Sequence, residues 1–267
     1  MGPPAPFDAS GVFETLRVAR GKILHLREHL ARLHASAQTV GMAGWDEAAV
    51  RLELARTASE IKEGYVRVAL RRVGEPRIVV HRSAGLPYPK GLAKNGISIR
   101  TVPSRWPMAE TAIGQAKLSE RLTGVLARLE APEEFELLRM GPHGYLTEGT
   151  VSNLFLVKDG ALCTAPTWLG VLGGVTRAQV IRTARKNRVP VREIPSTRHD
   201  LFNADEAFLT NVLIGILPIR QVDGRRIGSQ LPGPITRRLM REQAIRRKDG
   251  RLVANRNGEQ VGGRGGG

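Results

Sequence analysis

The chain has 267 residues, 41% of them hydrophobic, which is enough to fill the core of one large domain or two modest ones. Its formal net charge at pH 7 is +16, but aromatic residues make up only 4% and no nucleic-acid-binding motif occurs, so no nucleic acid is expected as a partner. No apolar run approaches the ~18 residues of a membrane span, and the start lacks the pattern of a signal peptide, so we expect a cytoplasmic protein that binds no membrane.

The first part of the chain predicts a small layer of strands and helices. Alternating residues at 11–18 predict a strand, and a turn at Gly21 leads to a second short strand. Apolar residues recur every three or four positions from 26 to 40, which predicts a helix. Asp46 has the position of an N-cap for a second helix, 46–62. Two paired strands are predicted at 64–71 and 77–82.

A loop-rich segment, 83–113, contains one predicted strand, 96–102, and is expected to separate two domains, 1–110 and 111–245. The second domain has predicted helices at 118–131, 176–187 and 233–243, and predicted strands at 135–140, 145–147, 152–158, 161–164, 189–194, 206–210 and 214–222. Because strands and helices are mixed without strict alternation, the predicted class is α+β rather than a doubly wound sheet. The basic, Gly-rich tail, 246–267, is expected to be disordered.

Three short segments carry residues that suit one cofactor. Lys117 follows a weakly polar stretch that would partly bury its amine, and burial makes an amine a better nucleophile. Glu148 lies between two β segments, where a carboxylate needs a cationic partner such as a protonated pyridine nitrogen. Gly173 and Gly174 open a helix whose free N–H groups suit a phosphate. Each segment alone also has an ordinary interpretation, namely a surface lysine, a turn glutamate and a simple turn. Together the three segments indicate a pyridoxal 5′-phosphate site.

In order and spacing these segments resemble the class IV aminotransferases, which are fold type IV pyridoxal phosphate enzymes. The resemblance covers roughly residues 11–240. It rests on Val12-Phe13-Glu14-Thr15-Leu16-Arg17, His29-Leu30-Ala31-Arg32-Leu33, Lys117, Glu148-Gly149-Thr150-Val151-Ser152-Asn153-Leu154-Phe155, Gly170 to Arg177, and Ala204 to Thr210 leading to Pro218. Relatives usually carry an extra strand before the first of these motifs, so we expect that strand to be missing or the start to be trimmed.

The resemblance implies a small α/β sandwich domain, a larger pseudobarrel-like α/β domain, a homodimer and a small-molecule amine substrate. It implies that Lys117 is the catalytic residue, which binds the cofactor covalently and moves the proton. The implied cofactor-binding residues are Arg32, Lys117, Glu148, Gly174, Val175, Thr176, Asn211 and Val212. Arg67 and Asn211 are the implied substrate contacts, whereas His29 has either a role near the phosphate or a packing role. With a single cysteine, Cys163, and no metal-site spacing, neither a disulfide nor a metal is expected.

The choice of reaction depends on one further stretch, Thr210 to Pro218. It resembles the pattern of 4-amino-4-deoxychorismate lyase, in which asparagine and a bulky aliphatic residue follow the threonine, whereas transaminases tend to Thr-Gly-Thr-Ala there. We therefore expect a lyase, with a branched-chain or D-amino acid aminotransferase as the alternative. A basic binding protein on a degenerate enzyme scaffold is a third hypothesis, and the presence of both Lys117 and Glu148 argues against it.

Overall fold

A computed structural model describes residues 11–42, 44–73, 75–89, 91–103, 115–118, 129 and 131–249. Within these residues the helices are α1 (Leu26–Thr39), α2 (Glu47–Ser59), α3 (Leu92–Asn95), α4 (Val175–Lys186), α5 (Arg198–Phe202) and α6 (Pro234–Asp249). The strands are β1 (Gly11–Ala19), β2 (Lys22–Ile23), β3 (Glu63–Val73), β4 (Glu75–Ala84), β5 (Ile97–Pro103), β6 (Leu137–Met140), β7 (Leu146–Gly149), β8 (Asn153–Lys158), β9 (Ala161–Thr164), β10 (Val191–Glu193), β11 (Glu206–Asn211), β12 (Gly215–Val222) and β13 (Arg225–Arg226).

The first sheet is antiparallel, with the strand order β2-β1-β3-β4. Because side chains alternate along a strand, β1 has two different faces. Val12, Leu16 and Val18 lie in the core that the sheet forms with α1 and α2. Phe13 and Thr15, on the opposite face, line a cleft. One strand therefore supplies both the core of this layer and a wall of the candidate site.

The second sheet contains nine strands in the order β10-β9-β8-β11-β12-β5-β6-β7, with β13 paired to β12. β7 also pairs with β8, through Glu148 and Asn153, so that six strands close into a ring. All six contribute to one apolar core: Ile97, Ile99, Leu138, Leu146, Leu154, Leu156, Leu209, Leu217 and Ile219. This architecture confirms the predicted α+β fold, with a small α/β layer and a larger barrel-like part.

Two helices cover part of the ring from outside. Phe155 of β8 and Phe208 of β11 stack with ring centroids 5.1 Å apart. Both rings lie in a second core cluster, to which α4 contributes Val180 and Ile181 and α6 contributes Leu239. β8 is therefore buried on both faces, which explains its nearly continuous apolar sequence. Among the described residues no helix is long and apolar enough to cross a membrane.

Several element boundaries differ from the sequence predictions. β7 includes Glu148, because the backbone pairing with Asn153 extends the strand beyond its predicted end. β10 is shorter than predicted, since Pro190 precedes it and cannot donate to a ladder. α6 continues to Asp249, beyond the predicted start of the tail, because neither glycine nor proline interrupts the sequence before Gly250.

α3, α5 and β13 were not predicted from the sequence. For α5 a signal was present, because Thr197 and Asp200 form a capping box in which the Thr197 backbone N–H donates to Asp200 Oδ2 at 2.8 Å. Most of the predicted helix 118–131, and the tail beyond 249, lie outside the described residues. β5 lies within the predicted first domain, yet it pairs with β12 and β6 of the second sheet. The domain boundaries stay a prediction.

Candidate functional site

A cleft of about 340 Å³ lies between the outward face of the first sheet and the ring. This volume falls within the usual range for a small organic ligand. All the predicted site residues line the cleft: Arg32, Arg67, Lys117, Glu148, Gly174, Val175, Thr176, Asn211 and Val212. The structure thus brings together residues that are up to 180 positions apart in the sequence, from 32 to 212.

Glu148 is held at the seam of the ring by three donors. Arg139 Nη2 donates to Oε1 at 2.6 Å, while Asn153 Nδ2 and the Leu172 backbone N–H donate to Oε2 at 3.1 and 3.0 Å. The cation that compensates this partly buried carboxylate is therefore Arg139, which was not predicted from the sequence. Two carboxylate oxygens have about four acceptor positions, so one remains for a protonated ring nitrogen.

Lys117 is tied to β1 and α1 through its backbone. Its N–H donates to Ser36 Oγ at 3.0 Å, and its carbonyl accepts from the Phe13 N–H, also at 3.0 Å. Its Nζ lies 4.7 Å from the centroid of the Phe13 ring, within the range of a cation–π contact. These contacts place the half-buried amine in the cleft.

The start of α4 has the form of an anion site. Val175 and Thr176 are the first residues of the helix, and both are buried at the cleft wall. The first N–H groups of a helix have no intrahelical acceptor and carry a partial positive charge, which favours a phosphate. Gly174 must be glycine, because a Cβ there would lie 2.0 Å from Asn153 Oδ1, whereas a Cβ at Gly173 would meet nothing within 4 Å.

Arg32, the predicted phosphate ligand, forms a bidentate ion pair with Glu14. Its Nε and Nη2 donate to Glu14 Oε1 and Oε2 at 2.6 and 2.8 Å, and its Nη1 donates to the Gly173 carbonyl at 3.1 Å. Nη1 and Nη2 each carry a second hydrogen, which leaves two donors for an anion. No role was predicted for Glu14, although its place between Val12 and Leu16 on the apolar face of β1 was a signal of a buried carboxylate that needs a cation.

His29 completes this buried network, with Nδ1 2.8 Å from Glu14 Oε2. Burial alone would raise the pKa of Glu14, but the charge of Arg32 and the hydrogen bonds from His29 and Arg32 outweigh it and hold that pKa at about 2. Burial lowers the pKa of His29, against the opposing effect of Glu14. Because an ionised carboxylate can only accept, the proton between the two groups lies on His29 Nδ1, which donates to Glu14 Oε2.

The predicted substrate side of the cleft is built by β3 and by the turn after β11. Arg67 lies directly across from Thr15, and its guanidinium carbon is 5.2 Å from the centroid of the Phe13 ring. Within the described part of the chain, Arg67 forms no ion pair with an acidic side chain. It is therefore available as a cation for a carboxylate substrate.

The Asn211 side chain forms hydrogen bonds within the cleft wall. Its Oδ1 accepts from the backbone N–H groups of Leu213 and Ile214 at 3.0 and 2.9 Å, and its Nδ2 donates to Tyr88 Oη at 3.2 Å. Arg17 holds the same turn from β1, because its Nη1 donates to the Leu213 carbonyl at 2.6 Å. The turn places Val212 at the cleft.

Two buried atoms in the cleft wall support the presence of a ligand. His29 Nε2 and Thr210 Oγ1 are buried and have no hydrogen-bond partner among the described residues, and both side chains line the cleft. Such groups usually carry a cost of about 1–3 kcal/mol each unless something satisfies them. The cleft therefore suits pyridoxal 5′-phosphate. It contains the Lys117 amine, the Glu148 carboxylate with one acceptor position left, the Arg32 cation and the start of α4.

Comparisons with known proteins point the same way. Residues 11–222 match the family described as amino-transferase class IV. The chain is 32% identical over 235 residues to the branched-chain-amino-acid aminotransferase of Escherichia coli (strain K12), which covers 80% of this chain and 75% of the relative.

Two solved structures show how far the fold is shared. The branched-chain amino acid aminotransferase from Escherichia coli has a TM-score of 0.77 and 27% identity, over 88% of this chain and 84% of that one. The 4-amino-4-deoxychorismate lyase from Pseudomonas aeruginosa has a TM-score of 0.76 and 29% identity, over 92% and 96%. The same fold thus accompanies both a transaminase and a lyase.

The Glu14 network leads to a prediction about stability. Replacing the buried Glu14 with Gln leaves the partly buried Arg32 without its anion, so the free energy of unfolding should fall by about 3 kcal/mol at neutral pH. The folded pKa of Glu14, about 2, is below its ordinary value of 4.5, so its contribution is present above pH 4.5 and is lost as the pH falls towards 2. Urea unfolding of both proteins at a series of pH values should show the difference shrinking below pH 4.5.

The matched control is Glu47→Gln, which removes the partly exposed ion pair with Arg51 on α2. It should change the free energy of unfolding by less than about 1 kcal/mol at every pH. A Glu14→Gln effect as small as that of the control, or one that does not change with pH, would contradict the assignment.

Proposed function

The chain belongs to the class IV aminotransferases, which use pyridoxal 5′-phosphate, and we propose that it is a 4-amino-4-deoxychorismate lyase, which releases pyruvate and leaves 4-aminobenzoate. The family match shows the enzyme class, whereas the lyase reaction is what we propose. It is supported by the turn at Asn211 and by the charge of the cleft.

The turn at Asn211 carries the proposal. Its side-chain oxygen accepts both backbone N–H groups that shape the turn, at Leu213 and Ile214. The Thr-Gly-Thr-Ala pattern of transaminases has glycine at this place and offers no side-chain acceptor. The bulky Val212 and Leu213 then line the cleft where that pattern has small residues. The substrate end of the wall therefore has the chemistry of the lyase pattern.

The charges of the cleft agree with a dicarboxylate substrate. The cleft contains the cation of Arg67, while the cleft carboxylate Glu148 is already paired with Arg139. 4-Amino-4-deoxychorismate carries two carboxylates, which this positive excess would attract.

The residues divide the work of such a reaction. Bound pyridoxal phosphate supplies an electron sink for the carbanion that forms next to the substrate nitrogen. Lys117 Nζ would remove the proton from the carbon that bears the amine, and Glu148 would favour the protonated ring nitrogen by accepting its hydrogen bond. The bond between the neighbouring ring carbon and the enolpyruvyl oxygen then breaks, the ring becomes aromatic, and a proton returned to the enol gives pyruvate. The start of α4 and Arg32 hold the phosphate.

A substrate test separates the two reactions. Purified holoenzyme given 4-amino-4-deoxychorismate, with no 2-oxo acid, should release pyruvate and 4-aminobenzoate in equal amounts. Lys117→Ala should lose both this activity and the near-visible absorption band that borohydride abolishes in the parent enzyme. Turnover that strictly requires a 2-oxo acid would refute the lyase and favour an aminotransferase acting on branched-chain or D-amino acids, the alternative that the 32% identity to the Escherichia coli enzyme supports.

The Asn211 turn can be tested by itself. Asn211→Ala removes two hydrogen bonds that shape the turn, so kcat/KM for the lyase substrate should fall by about tenfold or more, with the bound cofactor retained. Asn203→Ala, at the end of α5, removes a side-chain bond to the His199 carbonyl and should leave kcat/KM unchanged. Equal kcat/KM in the Asn211 variant and the parent would contradict a role of this turn in the lyase reaction.

A homodimer is part of the same proposal, as the resemblance implies. Size-exclusion chromatography with light scattering should then give about twice the 29.2 kDa of one chain. A mass of one chain at micromolar concentration would contradict it.

A further inference from the structure

Glu136 is a buried carboxylate that the proposed reaction does not use. It lies immediately before β6 and is 2% exposed. Among the described residues it forms no ion pair with a cationic side chain. A carboxylate in such a place must be compensated by hydrogen bonds, because burying an uncompensated charge is strongly unfavourable.

Five donors surround the Glu136 carboxylate. Oε1 accepts from the Leu137 N–H at 3.0 Å, from the Thr150 N–H at 2.9 Å and from Thr150 Oγ1. Oε2 accepts from the Val151 N–H at 3.3 Å and from Ser152 Oγ at 2.9 Å. All but one of these donors belong to residues 150–152, the turn that joins β7 to β8.

This turn connects the two residues that close the ring, Glu148 and Asn153. Gly149, Val151 and Ser152 of the same stretch line the cleft. The packing around the turn is tight, because a Cβ at Gly149 would lie 2.2 Å from Ser152 Oγ and 3.0 Å from the Glu136 carboxylate. A displacement of the turn would therefore be transmitted to Glu148.

We propose that Glu136 is a positioning residue, an anionic anchor that sets the turn 149–152 and through it the Glu148 carboxylate that faces the cofactor ring. The donor set is made of N–H and O–H groups only, which suits an ionised acceptor on both oxygens. Hydrogen bonds to a charged acceptor are about twice as strong as neutral ones, so one carboxylate can hold the turn without a cation. The anchor would act in the same way in a lyase or a transaminase, so its test does not depend on the proposed reaction.

Glutamine at position 136 has the size of glutamate but lacks its negative charge and its second acceptor oxygen. Its amide nitrogen is a donor, and it would face at least one of the N–H and O–H groups that Glu136 now accepts. The turn must then move to relieve the opposed donors. We expect Glu136→Gln to weaken the binding of pyridoxal 5′-phosphate to the apoenzyme by about tenfold and to shift the near-visible absorption of the bound cofactor.

Glu206→Gln is the matched control for a general loss of stability. Glu206 is also buried, and its carboxylate accepts from the Ile235 and Thr236 N–H groups at the start of α6 at 2.9 and 2.7 Å, outside the cleft. Both variants should lose stability in urea, but Glu206→Gln should keep the dissociation constant and the absorption of the bound cofactor. Equal changes in both variants, or a parental dissociation constant and spectrum in Glu136→Gln, would overturn the proposal.

Thr150→Val provides a second test if Glu136→Gln fails to fold. The substitution keeps the shape and removes the hydroxyl that donates to Glu136 Oε1, and Thr150 is not among the residues that line the cleft. The same spectral shift should appear in smaller measure, with cofactor binding weakened by about threefold. A folded Thr150→Val protein that binds the cofactor as the parent does would count against the anchor.

Discussion

Closure of the ring by Glu148 and Asn153 is the constraint on which the candidate site depends. The two residues pair across β7 and β8, and their side chains are also joined, Asn153 Nδ2 to Glu148 Oε2 at 3.1 Å. Asn153 Nδ2 also donates to the Leu172 carbonyl at 2.9 Å, and its Oδ1 leaves no room for a side chain at Gly174. The pairing of β7 with β8 therefore sets the distance between the Glu148 carboxylate and the start of α4. These two groups lie at opposite ends of the candidate cofactor site.

The opposite wall of the cleft is positioned by strand β1. Alternation places Glu14 inward, where it holds Arg32 and His29, and places Phe13 outward, beneath Lys117 and Arg67. A single strand therefore orients cationic groups on both of its sides. The charge of Glu14 supports this arrangement, since the partly buried Arg32 guanidinium would otherwise lack its anion.

Much of the fold follows from local patterns. The three- and four-residue spacing of leucines predicted α1, and Asp46 caps α2 by accepting from the Ala48 and Ala49 N–H groups. The capping box at Thr197 would have predicted α5 in the same way. Boundaries were less accurate at β7, because its last residues are strand only through their pairing with β8. Ring closure itself has no local signal, since it joins strands through cross-strand pairs rather than through periodicity.

The sequence by itself predicted nine of the residues that line the cleft, because the order of the motifs pointed to the family and its cofactor. Only the tertiary structure decided what each charged group binds. Arg32 contacts Glu14 and the Gly173 carbonyl, Glu148 is paired with Arg139, and Glu136 anchors the turn at 150–152. The physical reason is that an ion pair depends on distance and burial, and both are set by strands and helices that meet only when the ring closes.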